Sequence, residues 1–254
     1  MNTKIKKIVA LIPCHNEALG IGSVVRGFFD AVQKNAGYTI EVVVIDNNST
    51  DATARIARDA GAIVINEAQV GKGNAVKKGF EYIPDDADYV VMIDGDNTYQ
   101  SKELFRLIEP IESHFCSVVV GSRLTGKIAE GAMTSVNRFG NWMFSFLVRI
   151  FYNANITDVL TGYFAWDYRA LMHLRPHIVA QDFGIEMDMV TKMAILGESI
   201  FCVPITYSYR KGISHLHPVS DGLRILLVLV KNFFWKSSPS YVVTLPTLHK
   251  SYKP

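Results

Sequence analysis

Short apolar runs and longer helical stretches alternate along the first half of the chain. KIVALI, IEVVVID, AIVI, DYVVMID and SVVVGS are β-branched runs of strand length, and residues 18–35, 50–60, 72–83 and 101–113 between them have helical patterning. Runs that stay apolar without alternation suit strands buried on both faces. The rhythm therefore predicts an α/β fold: a mostly parallel, Rossmann-like sheet with helices on both faces. The second half is less regular, with Arg- and aromatic-rich stretches such as NRFGNWMFSFLVRIFY at 137–152. From 222 to 235, GLRILLVLVKNFFW is nearly all apolar; on a helix Asp221, Arg224 and Lys231 fall on one narrow face and leave a wide apolar one.

Composition narrows this picture. A chain of 254 residues, 49% hydrophobic and 20% charged, has material for one sizeable core, which predicts a single large domain with a C-terminal extension. Cys14, Cys116 and Cys202 are odd in number, far apart and without CxxC spacing, so neither a disulfide framework nor a zinc site is expected, and a reducing, cytoplasmic compartment fits. The start, MNTKIKKIVALIPCHNE, reads as a first strand rather than a signal peptide. The apolar run Ile225 to Val230 is closed by Arg224 and Lys231, too short to cross a bilayer. A net charge of +2 gives no reason to expect nucleic acid, but residues 202–254 carry seven Lys or Arg against Asp221 alone, which places the basic excess in the tail.

Acidic residues stand just past two of the strands: Asp46 after EVVVI, and Asp94 and Asp96 after YVVMI. Open α/β sheets bind ligands at these carboxyl ends. In Asp94-Gly95-Asp96, two carboxylates flank a glycine and can turn toward one hard cation, Mg²⁺ or Mn²⁺, bridging a diphosphate. The alternative for such a triplet is a solvated turn. Three neighbouring segments favour the cation. In the first, Pro13 to Glu17 follow the first strand, and Glu17 can accept hydrogen bonds from a ribose or base. In the second, Asp46 and Asp51 sit in IDNNSTDAT, where a turn and helix N-cap is the competing explanation for Asp51. In the third, VGKGNAVKKGF, Gly71 and Gly73 flank Lys72 ahead of a helix, an arrangement that favours an anion without the spacing of a nucleotide-triphosphatase loop.

Taken in order, PCHNE, VVVIDNNSTDAT, GKGNA, MIDGDNTY, VVVGSR and VLTGYFAWD resemble the family-2 inverting glycosyltransferases of GT-A fold. Within that family the chain is similar to the dolichyl- and polyprenyl-phosphate glycosyltransferases, over residues 6 to 235. With the length and the apolar pattern above, the expected organisation is a GT-A catalytic domain over 1–221 and an amphipathic, membrane-associated helix and tail over 222–254. The resemblance makes Pro13, His15, Glu17, Ile45 and Asn47 the wall around the nucleoside, with Asp46 beside it, and Asp94, Gly95 and Asp96 the diphosphate and metal site. Arg123 and Arg138 would hold phosphate, as a planar guanidinium can with two hydrogen bonds. Arg210 or Lys211, in a basic segment that closes over the donor, would face the diphosphate together with Lys72. Asp46-Asn47 stands where mannose synthases have Asp-Asp, Thr98 where they have glutamine, and His215 where lysine is usual. These departures weaken a GDP-mannose assignment, while DGDNTY and HPVSDGLRIL resemble the branch that uses UDP-glucose or UDP-N-acetylglucosamine, so a UDP-sugar donor is expected.

The implied reaction transfers a sugar to a polyprenyl phosphate with inversion. A phosphate dianion can attack without a strong general base, so the enzyme's task becomes positioning and stabilising the leaving diphosphate. Residues 139–152 and 222–235 could lie in the membrane interface, on its cytoplasmic face, or instead pack in the core or a homodimer. Two other readings stay open. A saccharide or glycolipid hydroxyl acceptor would need a carboxylate base, for which Asp158, Asp182, Glu186 and Asp188 are candidates; the other is a nucleotide-binding protein without transferase activity. Glu186 is expected to be structural or acceptor-positioning, and His215 and His217 to be loop histidines rather than metal ligands.

Overall fold

The computed structural model describes residues 4–212 and 218–236; His215 and His217 lie outside the described residues. Strand β1 (Lys6–Cys14) is followed by α1 (Ile21–Gln33), β2 (Tyr38–Asp46), α2 (Thr53–Asp59), β3 (Ile63–Asn66), α3 (Lys72–Tyr82), β4 (Tyr89–Met92) and α4 (Leu104–Glu112). The second half runs β5 (Val118–Ile128), α5 (Ser135–Tyr152), β6 (Phe164–Asp167), α6 (Tyr168–Leu174), α7 (Ile185–Ile195), β7 (Ile200–Tyr207) and α8 (Pro218–Phe233). Each predicted strand of the first half is present, and so is each predicted helix.

The sheet order is β3-β2-β1-β4-β6-β5-β7. β1 pairs in parallel with both β2 and β4, so the chain leaves β1 to one side for β2 and β3 and returns to its other side for β4. That reversal opens the crevice at the carboxyl ends of β1 and β4. β6 lies antiparallel between β4 and β5, and β7 closes the edge in parallel with β5.

The period-2 alternation of the strands divides the interior into two cores. Val9, Leu11, Val43, Ile45, Val90 and Met92 meet α3, α5, α6, α7 and α8 through residues such as Phe80, Phe144, Leu171, Met189 and Ile225. Ile8, Ala10, Ile12, Val42, Val44 and Val91 face α1, α2 and α4 through Val25, Phe28, Ala57, Leu104 and Ile108. Both faces of the sheet are covered, which explains why its strands read as unbroken apolar runs.

Helix α8 starts at Pro218, before the expected boundary at 222, and its inner face joins the first core through Ile225 and Leu229. Its polar residues do not share one outward stripe. Asp221 and Asn232 are buried, and Arg224 lies 3.7 Å from Asp182. The buried carboxylate of Asp188 in α7 accepts hydrogen bonds from Asn232 Nδ2 (2.8 Å) and from the backbone N–H groups of Val179 and Ala180, and pairs with Lys192 at 2.7 Å. With its inward positions occupied this way, α8 turns Leu223, Leu226, Leu227, Val230 and Phe233 outward. On α5 the outward residues are Val136, Phe139, Trp142, Phe146, Ile150 and Phe151, with Trp142 stacked on Phe146. Phe151 meets Phe233 edge-on at 5.6 Å and joins the two helices into one exposed apolar surface. Among the described residues no helix is long and apolar enough to cross a membrane.

Asp188→Ala is expected to leave Lys192 charged and buried without its partner and to release two backbone donors, costing about 3–5 kcal/mol. Urea unfolding checks this; a loss below ~1 kcal/mol would mean that the Asp188 cluster does not anchor α8.

Candidate active site at the carboxyl ends of β1 and β4

Three loops converge on the crevice, and each turns through an asparagine in the left-handed region: Asn16 (φ 57°) after β1, Asn48 (φ 59°) after β2 and Asn97 (φ 62°) after β4. Asparagine tolerates this conformation better than most residues because its short amide can hydrogen-bond locally. The Asn16 amide oxygen accepts the N–H of Thr50 (2.8 Å), and the N–H of Asn47 donates to the Cys14 carbonyl (2.8 Å), so the first two loops are stitched together. Asn47 then organises the next segment. Its Nδ2 donates to the carbonyls of Glu67 (3.1 Å) and Gln69 (2.7 Å), and its Oδ1 accepts the Gly71 N–H (2.7 Å). An aspartate here could not make the two donations, which gives Asn47 a structural reason for departing from the Asp-Asp pattern.

Between these loops lies a cavity of ≈ 300 Å³ lined by Pro13, Cys14, His15, Glu17, Asn47, Val70, Gly71, Lys72, Ala75, Asp94, Gly95, Asp96, Phe183 and Arg210. Pro13, His15, Glu17, Asn47, Lys72, Asp94, Gly95, Asp96 and Arg210 thus come together from five separate segments. Close approach explains two glycines. A Cβ on Gly95 would sit 2.4 Å from Cys14 Sγ, and one on Gly162, in the TGY turn, 2.1 Å from Asp94 Oδ2. Any side chain at Gly162 would push the Asp94 carboxylate from its place.

The charges are paired across the cavity. Lys72, at the start of α3, lies 2.6 Å from Asp94 Oδ1 and 2.5 Å from Glu186 Oε1, while Arg210 reaches Asp96 Oδ2 at 3.0 Å and also pairs with Glu17. Burial opposes the charge on Lys72, yet Asp94 and Glu186 together raise its pKa. Burial lifts Glu17 to about 8; Arg210 pulls it down, but the negative charges of Asp96 and Asp94 push it up again. Burial and the neighbouring Asp94 likewise raise Asp96, against Arg210. Glu17 Oε2 and Arg210 Nε are buried without a hydrogen-bond partner, groups left for a ligand to satisfy.

Two expectations are corrected by packing. Ile45 does not wall the cavity: it is fully buried in the first core, with its side chain against Gly79 and Leu11, because strand parity puts it on the same face as Val43. Arg123 does not face the cavity either. Its Nε and Nη2 both bind the Asp158 carboxylate at 2.8 Å, Nη2 also donates to the Leu160 carbonyl, and the guanidinium lies over the Tyr207 ring. It braces β5 against the 158–160 turn. Arg138 lines a separate hollow with Leu124, Ser135, Phe139 and Trp142. Asp46 is buried beside the first cavity and accepts from the Ser49 N–H (3.3 Å). The Lys211 side chain is exposed, and its backbone N–H donates to the Asp96 carbonyl (3.2 Å). The lining by Val70, Ala75 and Phe183 had not been anticipated.

The four candidate bases can now be placed. Asp158 is committed to Arg123 and Asn141, and Asp188 to Lys192, Asn232 and two backbone N–H groups. Asp182 caps the Gly184 N–H and sits near Arg224. Glu186 is 4% exposed, is bound to Lys72 and does not line the cavity.

A doubly wound sheet with an acidic pair at its switch point is a ligand-binding α/β architecture, and the comparisons with known proteins give its family. The glycosyl transferase family 2 model matches residues 9–175, and the chain belongs to this family. It is 34% identical over 227 residues (88% of this chain, 71% of the relative) to glycosyltransferase AglJ of Haloferax volcanii. It is 33% identical over 224 residues (88% and 92%) to the dolichyl-phosphate hexose transferase of the same organism. With the undecaprenyl-phosphate mannosyltransferase of Micrococcus luteus it shares 28% over 216 residues (81% and 85%). The structure of glucosyl-3-phosphoglycerate synthase from Mycobacterium tuberculosis with Mn²⁺, UDP-glucose and phosphoglyceric acid superposes with a TM-score of 0.69 at 19% identity, covering 90% of this chain and 80% of that one. The fold is thereby GT-A.

The displaced Glu17 carboxyl carries a pH signature. Its folded pKa of about 8 lies above the ordinary 4.5, so the metal-free folded protein holds a proton that the unfolded chain releases. Its contribution to stability is therefore fully present below pH 4.5 and is lost as pH rises to about 8, by at most about 5 kcal/mol at 1.36 kcal/mol per unit. In EDTA, Glu17→Gln is expected to flatten this decline in denaturant titrations between those limits; an unchanged slope would refute the assignment.

Proposed function

We propose that the protein transfers a sugar from a UDP-sugar to a polyprenyl or dolichyl phosphate, with inversion and with a divalent cation, Mg²⁺ or Mn²⁺, at Asp94 and Asp96. The observation that carries the reading is the commitment of every candidate base. Asp158 and Asp188 are consumed by structural partners, Asp182 serves a turn, and Glu186 is bound to Lys72. A hydroxyl acceptor needs a base, whereas a phosphate monoester, with a second pKa of about 6, is already largely dianionic near neutral pH. The relatives named as dolichyl-phosphate hexose and undecaprenyl-phosphate mannosyl transferases support the same acceptor class.

The residues fit the cation. Asp94 and Asp96 both line the cavity and offer hard carboxylate oxygens, a donor set that suits Mg²⁺ or Mn²⁺ when substrate and water oxygens complete it. Such an ion would supply positive charge for the leaving nucleoside diphosphate. Pro13, His15 and Glu17 border the part of the cavity assigned to the nucleoside, with Asn47 holding the 67–71 segment beside it. Arg210 and Lys72, both already at the cavity wall, provide donors for the diphosphate oxygens. In the second hollow, Arg138 beside Phe139 and Trp142 offers a guanidinium and an apolar wall to a lipid phosphate. The exposed apolar surface of α5 and α8 would lie in the membrane interface, the peripheral attachment that a lipid acceptor calls for.

Radiolabelled UDP- and GDP-sugars, including hexoses and N-acetylhexosamines, offered with undecaprenyl or dolichyl phosphate and Mg²⁺ or Mn²⁺, should yield an acid-labile glycolipid from one donor and none in EDTA. Transfer only to a hydroxyl-bearing glycan would sink the acceptor, and nucleotide binding without any transfer would leave a binding protein. Asp96→Ala should lower turnover by about 10²–10³-fold or more, the scale of a lost charge-stabilising contact. Replacing Trp142, Phe146 and Leu227 together by Ser should reduce co-flotation with anionic vesicles at least about tenfold, since each buried large side chain contributes ~1.5–3 kcal/mol; equal flotation would remove the membrane role.

A further inference from the structure

Both carboxylates of the Asp94-Gly95-Asp96 turn already hold a basic side chain from a distant element, but the two contacts differ. Arg210 comes from the irregular segment after β7, and its side chain is 29% exposed. Lys72 is the first residue of α3, is 15% exposed, and lies between Asp94 Oδ1 (2.6 Å) and Glu186 Oε1 (2.5 Å). Glu186 is not part of the cavity wall and reaches the cavity through this ammonium. The enclosed ion pairs at Asp158 and Asp188 look different: each of these carboxylates accepts several further hydrogen bonds, from backbone or amide groups, and lines neither of the two hollows described above. Asp94 opens on the cavity, and among the described residues Lys72 is its one side-chain partner.

We propose that Lys72 is a stand-in cation. Its ammonium occupies Asp94 while the donor site is empty and passes wholly to Glu186 when a divalent cation arrives with a nucleoside diphosphate. Glu186 is then a positioning residue: it retains the ammonium at the cavity wall, charged and within reach of the diphosphate, after Asp94 has been given up. The inference rests on the donor and cation reading above. A bare divalent cation must displace the ammonium and then sit beside it in a poorly solvated site, where like charges repel strongly. A diphosphate brings the anionic charge that both cations need. Cation and nucleotide therefore bind with positive coupling, and each raises the other's affinity by the same factor.

Manganese binding to the full metal-free chain, read from the electron paramagnetic resonance signal of free Mn²⁺, tests this without any turnover. For the wild type, saturating UDP, with GDP as second probe, should tighten Mn²⁺ at least about tenfold, within the usual range of coupling. Lys72→Met should bind Mn²⁺ about tenfold more tightly than wild type without nucleotide and lose most of the coupling, the expected sign when a competing cation is removed. Glu186→Gln strands the ammonium on Asp94 and should weaken nucleotide-free Mn²⁺ binding. A general loss of structure would weaken both variants, so the opposite signs separate exchange from damage. Should Lys72→Met fail to fold by circular dichroism, the direction of Glu186→Gln decides alone. Unchanged or weaker Mn²⁺ binding in folded Lys72→Met, or tighter binding in Glu186→Gln, overturns the exchange, as does wild type that binds Mn²⁺ and nucleotide independently. Wild type that binds no Mn²⁺ with either nucleotide overturns the donor-site reading itself.

Discussion

Four carboxylates and two basic side chains share the crevice where β1 and β4 part. Glu17, Asp94, Asp96 and Glu186 face Lys72 and Arg210, four acids to two bases in a poorly solvated place. The fold around it is arranged to keep that imbalance in position. Cys14 and the Gly162 backbone close on the acidic turn from below, the β1 and β2 loops are tied through Asn16 and Asn47, and α3 begins where its lysine can reach two acids at once. Burial first, and then the repulsion of neighbouring carboxylates, opposes the negative charge and raises the pKa values of Glu17 and Asp96. On the proposed function a divalent cation supplies the missing charge, so the residues that make this grouping costly would also favour a metal and a diphosphate bound together.

The layering was legible because it follows from periodicity. Strands apolar without interruption need cover on both sides, and the structure gives each of their two faces its own core. The insertion of β6 between β4 and β5 was not legible, since FAWD is four residues long and strand order in space leaves no local trace. Residues near strand ends lie together for a similar reason: Pro13, His15, Glu17, Lys72, Asp94, Gly95 and Asp96 stand at or just beyond strand ends or at a helix start, and all line the crevice. Ile45 was misread although parity would have settled it, because a residue two places from Val43 on one strand must share its face. Arg123 could not be settled that way. Its fate depends on Asp158, 35 positions away, and only the fold brings the two together. Glu186 left a fainter signal, an acid inside the apolar run FGIEMDM, where a buried charge requires a partner that the sequence does not name.

The same helix that presents Glu186 also holds the outer surface. Asp188, two residues on, accepts the backbone N–H groups of Val179 and Ala180, which lead into the Gln181 carbonyl that receives the Asn74 N–H at 3.2 Å and into Phe183 on the cavity wall. It also accepts Asn232 from α8, whose opposite face is the exposed apolar surface shared with α5. One buried carboxylate thus fixes the position of the cavity wall and of the apolar slab relative to each other. Two neighbouring acids on α7 divide the work: Glu186 serves the charge balance of the site, and Asp188 serves its placement. If, as proposed, one substrate comes from water and the other from a lipid surface, the enzyme needs a fixed distance between the two sources, and a rigid polar lock supplies it more reliably than apolar packing, which tolerates sliding.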